Sequence, residues 1–296
     1  MKKIFILLLF FSLLCADDLK NEFKRVYLVT IDNIDEHWTQ VYKGANDALV
    51  ESGKKIVLNW FAPNNKNDLE QLRMLKYTLS NEANVIIISL NSPIFLNKTI
   101  EEASKKGVKF IFIDSNADMN ASQVIQTDNF AAGKTAAKEM LKALKAKKIT
   151  SGNVGIINVN PYTQSLSDRE KGFREAMQNE GFRVFSTRYS DGELLRAQNE
   201  SQMLLKLGVV GLFSTNEGVS KGVSAAIKKT KSDVVVIGFD WPNNEEMFEK
   251  VGTFSAVIKQ NPYKMGYESM NSAIKLLNQE ALDYSFIDTG IEVITK

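Results

Sequence analysis

Apolar residues along this chain fall into two alternating patterns. Short runs rich in β-branched residues cover Val26–Ile31, Lys55–Trp60, Val85–Ser89, Val108–Ile113 and Val124–Thr127. Their length and near-continuous hydrophobicity predict strands buried on both faces of a parallel sheet. Between them lie amphipathic stretches of helical length: Trp38–Glu51, Asn67–Ser80, Phe95–Lys106 and Phe130–Lys145. Gly53 and Gly107 follow two of these, where a glycine ends a helix.

The alternation restarts after Ser151-Gly152. Val154–Val159, Val184–Thr187, Val209–Ser214, Val234–Phe239 and Thr253–Ile258 predict strands. Ser167–Asn179, Glu193–Leu207, Glu217–Lys229, Asn244–Lys250 and Tyr263–Leu277 predict helices, and Gly290–Thr295 a terminal strand. The chain is therefore α/β, in two halves of like architecture, each a parallel sheet covered by helices. No short-period repeat relates them. Open parallel sheets bind ligands at the carboxyl ends of their strands. Two such sheets facing one another place the site in the cleft between them.

The first residues break the pattern. Lys2 and Lys3 precede an apolar run from Ile4 to Leu14, and Leu14-Cys15-Ala16 then meets Asp17-Asp18. This is the layout of a secretory signal peptide over residues 1–16, cleaved after Ala16. The run is shorter than the ~20 residues of a transmembrane helix. A periplasmic location follows. A lipid anchor at Cys15 is the alternative, and the bulky Leu14 before it speaks against that. Cys15 is the only cysteine, so the mature chain has no disulfide and no thiolate metal site. Removing Lys2 and Lys3 from the formal charge of +2 leaves the mature chain near neutrality. No basic face is implied, and nucleic acid is not an expected partner.

Polar chemistry gathers where strands end. The first ends toward Asp32, Asp35, His37 and Trp38, and the fourth in Asp114-Ser115-Asn116. In the second half, Arg169 opens a helix, and later strands run into Asn216-Glu217, Asp240-Trp241 and Gln260-Asn261. Carboxylates and amides match hydroxyls that both donate and accept, aromatic rings pack on C–H faces, and an arginine forks onto two neighbouring oxygens. That set suits a sugar or polyol. A cationic methylamine held by carboxylates and rings is a second fit. Asp128-Asn129 reads as a helix cap or hinge feature. His37 is the only histidine, and no metal-ligand spacing surrounds it.

Four segments carry a resemblance: Thr127-Asp128-Asn129-Phe130-Ala131-Ala132-Gly133, Arg169-Glu170-Lys171-Gly172-Phe173, Val236-Ile237-Gly238-Phe239-Asp240 and Gln260. In this order the chain resembles type I periplasmic solute-binding proteins of the ribose-binding cluster. The resemblance implies two Rossmann-like lobes joined by three crossover strands, with ligand trapped by hinge closure. It puts residues 17–127 and 260–288 in the N-terminal lobe and residues 128–259 and 289–296 in the C-terminal lobe. It implies ligand contacts at Asp35, His37, Trp38, Asp114, Ser115, Arg169, Asn216, Asp240 and Gln260. Four positions depart from the ribose pattern. Ser115 stands for an arginine, Asp35 for an amide, His37-Trp38 for a phenylalanine pair, and Gly192 lies near the place of a second-lobe aromatic. No cofactor is expected, a monomer is the default expectation, and the partner is an inner-membrane protein.

Two partner classes remain open: an ABC permease taking up a sugar-like solute, or a receptor or histidine kinase sensing autoinducer-2 or a methylamine N-oxide. The Asp35-x-His37-Trp38 spacing is similar to that of periplasmic sensor proteins for the N-oxide. An enzyme is not expected. No phosphate-cradling glycine loop and no nucleophile elbow occurs.

Overall fold

The computed structural model describes residues 23–33, 35–64 and 67–295. The expected export signal, with Lys2, Lys3 and Cys15, lies outside the described residues. Among the described residues thirteen strands form two sheets. The first holds β1 (Lys24–Val29), β2 (Ile56–Phe61), β3 (Val85–Ile88), β4 (Lys109–Ile113), β5 (Gln123–Gln126) and β12 (Phe286–Asp288), in the order β12-β5-β4-β3-β1-β2. The second holds β6 (Asn153–Asn158), β7 (Arg183–Val184), β8 (Arg188–Tyr189), β9 (Gly211–Ser214), β10 (Val235–Phe239), β11 (Ala256–Gln260) and β13 (Ile291–Thr295). Its order is β13-β11-β10-β9-β6-β7, with β8 also on β6. All pairs are parallel except β11 with β13.

Nine helices among the described residues cover the sheets. They are α1 (Glu36–Ser52), α2 (Asp68–Ser80), α3 (Asn97–Lys105), α4 (Asn129–Ala146), α5 (Gln164–Asn179), α6 (Leu194–Lys206), α7 (Glu217–Thr230), α8 (Glu245–Val251) and α9 (Pro262–Leu277). Helices on both faces explain why β3, Val85-Ile86-Ile87-Ile88, is wholly buried. Alternate strand residues feed different cores: Val85 and Ile87 pack with α1 and α9, while Ile86 and Ile88 pack with α2 and α3. The second sheet is divided the same way. Caps start several helices. The side chains of Asp128, Asn216, Asn244 and Asn261 accept from the first-turn amides of α4, α7, α8 and α9.

The chain passes between the sheets three times: from β5 into α4, from β11 into α9, and from β12 to β13. Gln260 is the last residue of β11, paired with Ile291 of β13, so it belongs to the second sheet. Thr127 and Thr289 lie side by side at two of these passages, with hydroxyls 3.5 Å apart. Asp288 also accepts from the Asp128 amide at 3.0 Å.

Three expectations need correction, and one strand has no counterpart among them. The strand expected at Val184–Thr187 is two short pieces, β7 and β8, with Thr187 between them; its hydroxyl is held by Glu170 and Arg174 instead of a strand partner. The Ser167 helix begins at Gln164. The expected Thr253–Ile258 strand runs Ala256–Gln260. β12 was not anticipated, because an edge strand exposed at Phe286 and Asp288 carries no apolar signature. Among the described residues no helix is long and apolar enough to cross a membrane.

Candidate functional site

Asp114 and Asp240 occupy matching places. Each directly follows a strand, β4 or β10, and each takes a left-handed backbone, with φ 57° and 60°. Residues other than glycine seldom adopt this conformation, and short polar side chains tolerate it best. The turns are pinned by Asp114 N–H to the Ile125 carbonyl (3.1 Å) and Asp240 N–H to the Ile258 carbonyl (2.8 Å). Strain kept at two equivalent strand ends points to function.

Both carboxylates line one small cavity of about 50 Å³ between the sheets. The same wall contains Asp35, His37, Trp38, Arg169, Asn216 and Gln260. Eight of the nine residues expected from the sequence therefore come together. The helix starts do the placing. Asp35 is the N-cap residue of α1 and His37 and Trp38 lie in its first turn, while Asn216 caps α7 through Val219 N–H at 3.0 Å.

Arg169 sits in the second turn of α5 and is 2% exposed. Its Nε donates to Asn129 Oδ1 and its Nη1 to the Thr215 carbonyl, each at 2.8 Å. The guanidinium lies 3.9 Å from the Phe239 ring centroid. Burial pulls its pKa below the ordinary arginine value, and the Asp240 and Asp114 charges oppose that. Arginine stays protonated in proteins, so the site holds one fixed cation. The carboxylates beside it in sequence are engaged elsewhere: Asp168 with Lys171, Glu170 with Arg174.

Gln260 is fixed by Asp240. The carboxylate accepts the Gln260 backbone N–H at 2.9 Å and its Nε2 at 2.8 Å. This orients the amide and leaves Oε1 buried with no donor among the described residues. His37 Nε2 stands 3.5 Å from Asp114 Oδ1, and its ring meets the Trp38 edge at 4.7 Å. Trp38 is 3% exposed and packs mainly in the core with Val41 and Ala45. Trp241 turns away from this cavity onto Phe254.

Ser115 is not on the cavity wall. Its hydroxyl donates to Asp114 Oδ2 (3.2 Å) and lies 2.8 Å from the Ser165 hydroxyl. Ser115 follows a strand of the first sheet and Ser165 opens a helix of the second. The pair is a buried tie across the cleft. Glu217, beside Asn216 at its strand end, also lines the wall, and Thr163, Ser165 and Leu166 join it without having been anticipated there. Thr163 and Ser165 are the small hydroxyl residues typical of a helix start after a strand, a signal present in the sequence. Among the described residues no group of three or more His, Cys, Asp or Glu is placed to hold a metal ion.

A sequence profile of the periplasmic binding protein domain matches residues 26–281. The chain belongs to this family. It is similar to the ribose import binding protein of Haemophilus influenzae, 24% identical over 273 residues, which span 90% of this chain and 89% of that one. Among solved structures it resembles a solute-binding protein of an Agrobacterium radiobacter carbohydrate transporter, in complex with D-arabinose. That match has a TM-score of 0.83 and 29% identity and covers 92% of this chain and 94% of the other. An ABC transporter solute-binding protein from Agrobacterium vitis with bound D-fucose has a TM-score of 0.84 and 26% identity, covering 92% and 95%. Like these periplasmic binding proteins, the chain has two mostly parallel sheets facing a shared cleft.

Proposed function

We propose that this periplasmic binding protein captures a neutral sugar between its two sheets. It would act as a single chain, exported by residues 1–16, and hand the sugar unchanged to an ABC permease. The observation that carries this reading is the buried Arg169, held by Asn129 and Thr215, on one cavity wall with Asp114, Asp240 and Gln260, whose Oε1 has no donor among the described residues. Hydroxyls serve both kinds of group at once, donating to the carboxylates and the amide oxygen and accepting from the guanidinium. Asp35, His37, Trp38 and Asn216 complete the proposed contact set, with Ser115 acting through Asp114 and Ser165. Lobe boundaries follow the three passages between sheets, with Gln260 assigned to the second lobe.

A thermal-shift screen of the chain from Asp17 onward tests this. The panel is D-ribose, D-arabinose, D-fucose, autoinducer-2 with and without borate, and methylamines including the N-oxide. A sugar at ~100 times its Kd adds ~2.7 kcal/mol, raising the melting temperature by a few degrees. Stabilisation by the methylamines alone contradicts sugar capture and favours the sensor reading.

A further inference from the structure

Beside the small cavity lies a chamber of about 510 Å³. The two share His37, Glu217, Asp240 and Gln260 as walls. The chamber continues past these residues along the passages β11–α9 and β12–β13, and its far walls include Gln40, Asn243, Asn261 and Tyr263. Gln260 stands on the boundary. It is 5% exposed, its Nε2 is committed to Asp240, and its Oε1 is buried and without a donor among the described residues. An orphaned acceptor in such a position calls for a ligand hydroxyl or amide where the two spaces meet.

Resting on the sugar-capture reading, we infer that the site takes a glycoside, its first ring straddling the boundary with hydroxyls in the small cavity and a neutral polyhydroxylated second unit in the chamber. The size contrast carries part of the case. The inner cavity holds room for only a few water-sized groups, so the larger space is where an extended ligand is accommodated. The lining chemistry carries the rest. Gln40, Asn243 and Asn261 are amides suited to hydroxyls, and the ring of Tyr263 offers an apolar face. Charge sets the class further. Glu36, Glu217, Asp240 and Glu292 face the chamber against Lys259 alone, and Lys259 is itself 3.5 Å from Glu292. A phosphorylated extension is therefore disfavoured.

Titration calorimetry of the mature chain decides it. The probes are D-ribose, D-arabinose and D-fucose, the β-glucosyl derivative of each, and a phosphate ester of each. For the sugar that binds, the glucosyl derivative binds at least threefold tighter and the phosphate ester at least tenfold weaker. Gln40→Trp, which fills the chamber from the partly exposed face of α1, removes the glucosyl gain and leaves the free sugar's affinity within twofold. A free sugar that binds while its glucosyl derivative is excluded, or gains less than threefold, overturns the inference and leaves sugar capture intact. Binding by no sugar and no glycoside overturns sugar capture itself.

Discussion

Arg169→Met weakens sugar binding by roughly thirtyfold to several-thousandfold, which is about 2–5 kcal/mol, the cost of truncating one partner of a buried charge pair. Methionine keeps much of the side-chain volume and removes every donor. Asn129 Oδ1 and the Thr215 carbonyl lose their hydrogen bonds, and Asp114 and Asp240 lose the one fixed positive charge among the cavity-lining side chains. Asp240→Ala acts in the same direction and also releases Gln260 from its fixed rotamer. Calorimetry with the sugar found in the thermal screen measures both, with far-ultraviolet circular dichroism as the check on folding. Affinity within threefold of the parent in both variants removes Arg169 and Asp240 from the site.

Gly133→Ala and Gly172→Ala each destabilise the chain by at least ~3 kcal/mol, the upper range for overpacking a tight contact. The two glycines face one another where α4 crosses α5. A Cβ on Gly133 would stand 2.1 Å from the Arg169 carbonyl oxygen, and one on Gly172 2.1 Å from that of Phe130. Backbone, not a flexible side chain, is in the way, so the helices themselves must part. Because α5 carries Arg169 and α4 carries Asn129, the parted helices also misplace the site's cation, and the folded fraction binds sugar more weakly. The first lobe repeats the device. A Cβ on Gly44 of α1 would meet the Tyr263 oxygen at 2.0 Å, and one on Gly266 of α9 the Val41 oxygen at 1.8 Å. Urea denaturation of Gly133→Ala reads the effect. A midpoint matching the parent's at unchanged slope shows that the crossing tolerates a methyl group.

The sequence announced the sheets because their strands are buried on both faces, where continuous apolar runs such as Val85–Ile88 and Phe110–Ile113 stand out. It was silent where a strand lies at an edge. β12 is mostly exposed, and β7 and β8 contribute two residues each. Asp114 and Asp240 were legible because a carboxylate ending an apolar strand has few structural reasons to be there. The tie between Ser115 and Ser165 was not, since the two residues lie fifty positions apart and only the folded cleft joins them. Arg169 is flanked by Asp168 and Glu170, a sequence equally suited to a surface ion pair and to the site. Burial against Phe239 resolves it, and nothing local in Ser167-Asp168-Arg169-Glu170 encodes that burial. Trp38 illustrates the reverse case: its place at a helix start suggested stacking on ligand, yet most of its surface is spent on the core.

On the proposed function, a sugar draws the two sheets together over the Arg169 cavity. Small-angle X-ray scattering of the mature chain, with and without saturating sugar, tests it most directly. The account predicts a smaller radius of gyration with sugar than without, and no such change for Arg169→Met at the same concentration. Superimposable curves for the parent chain, under conditions where calorimetry shows the sugar bound, would contradict it.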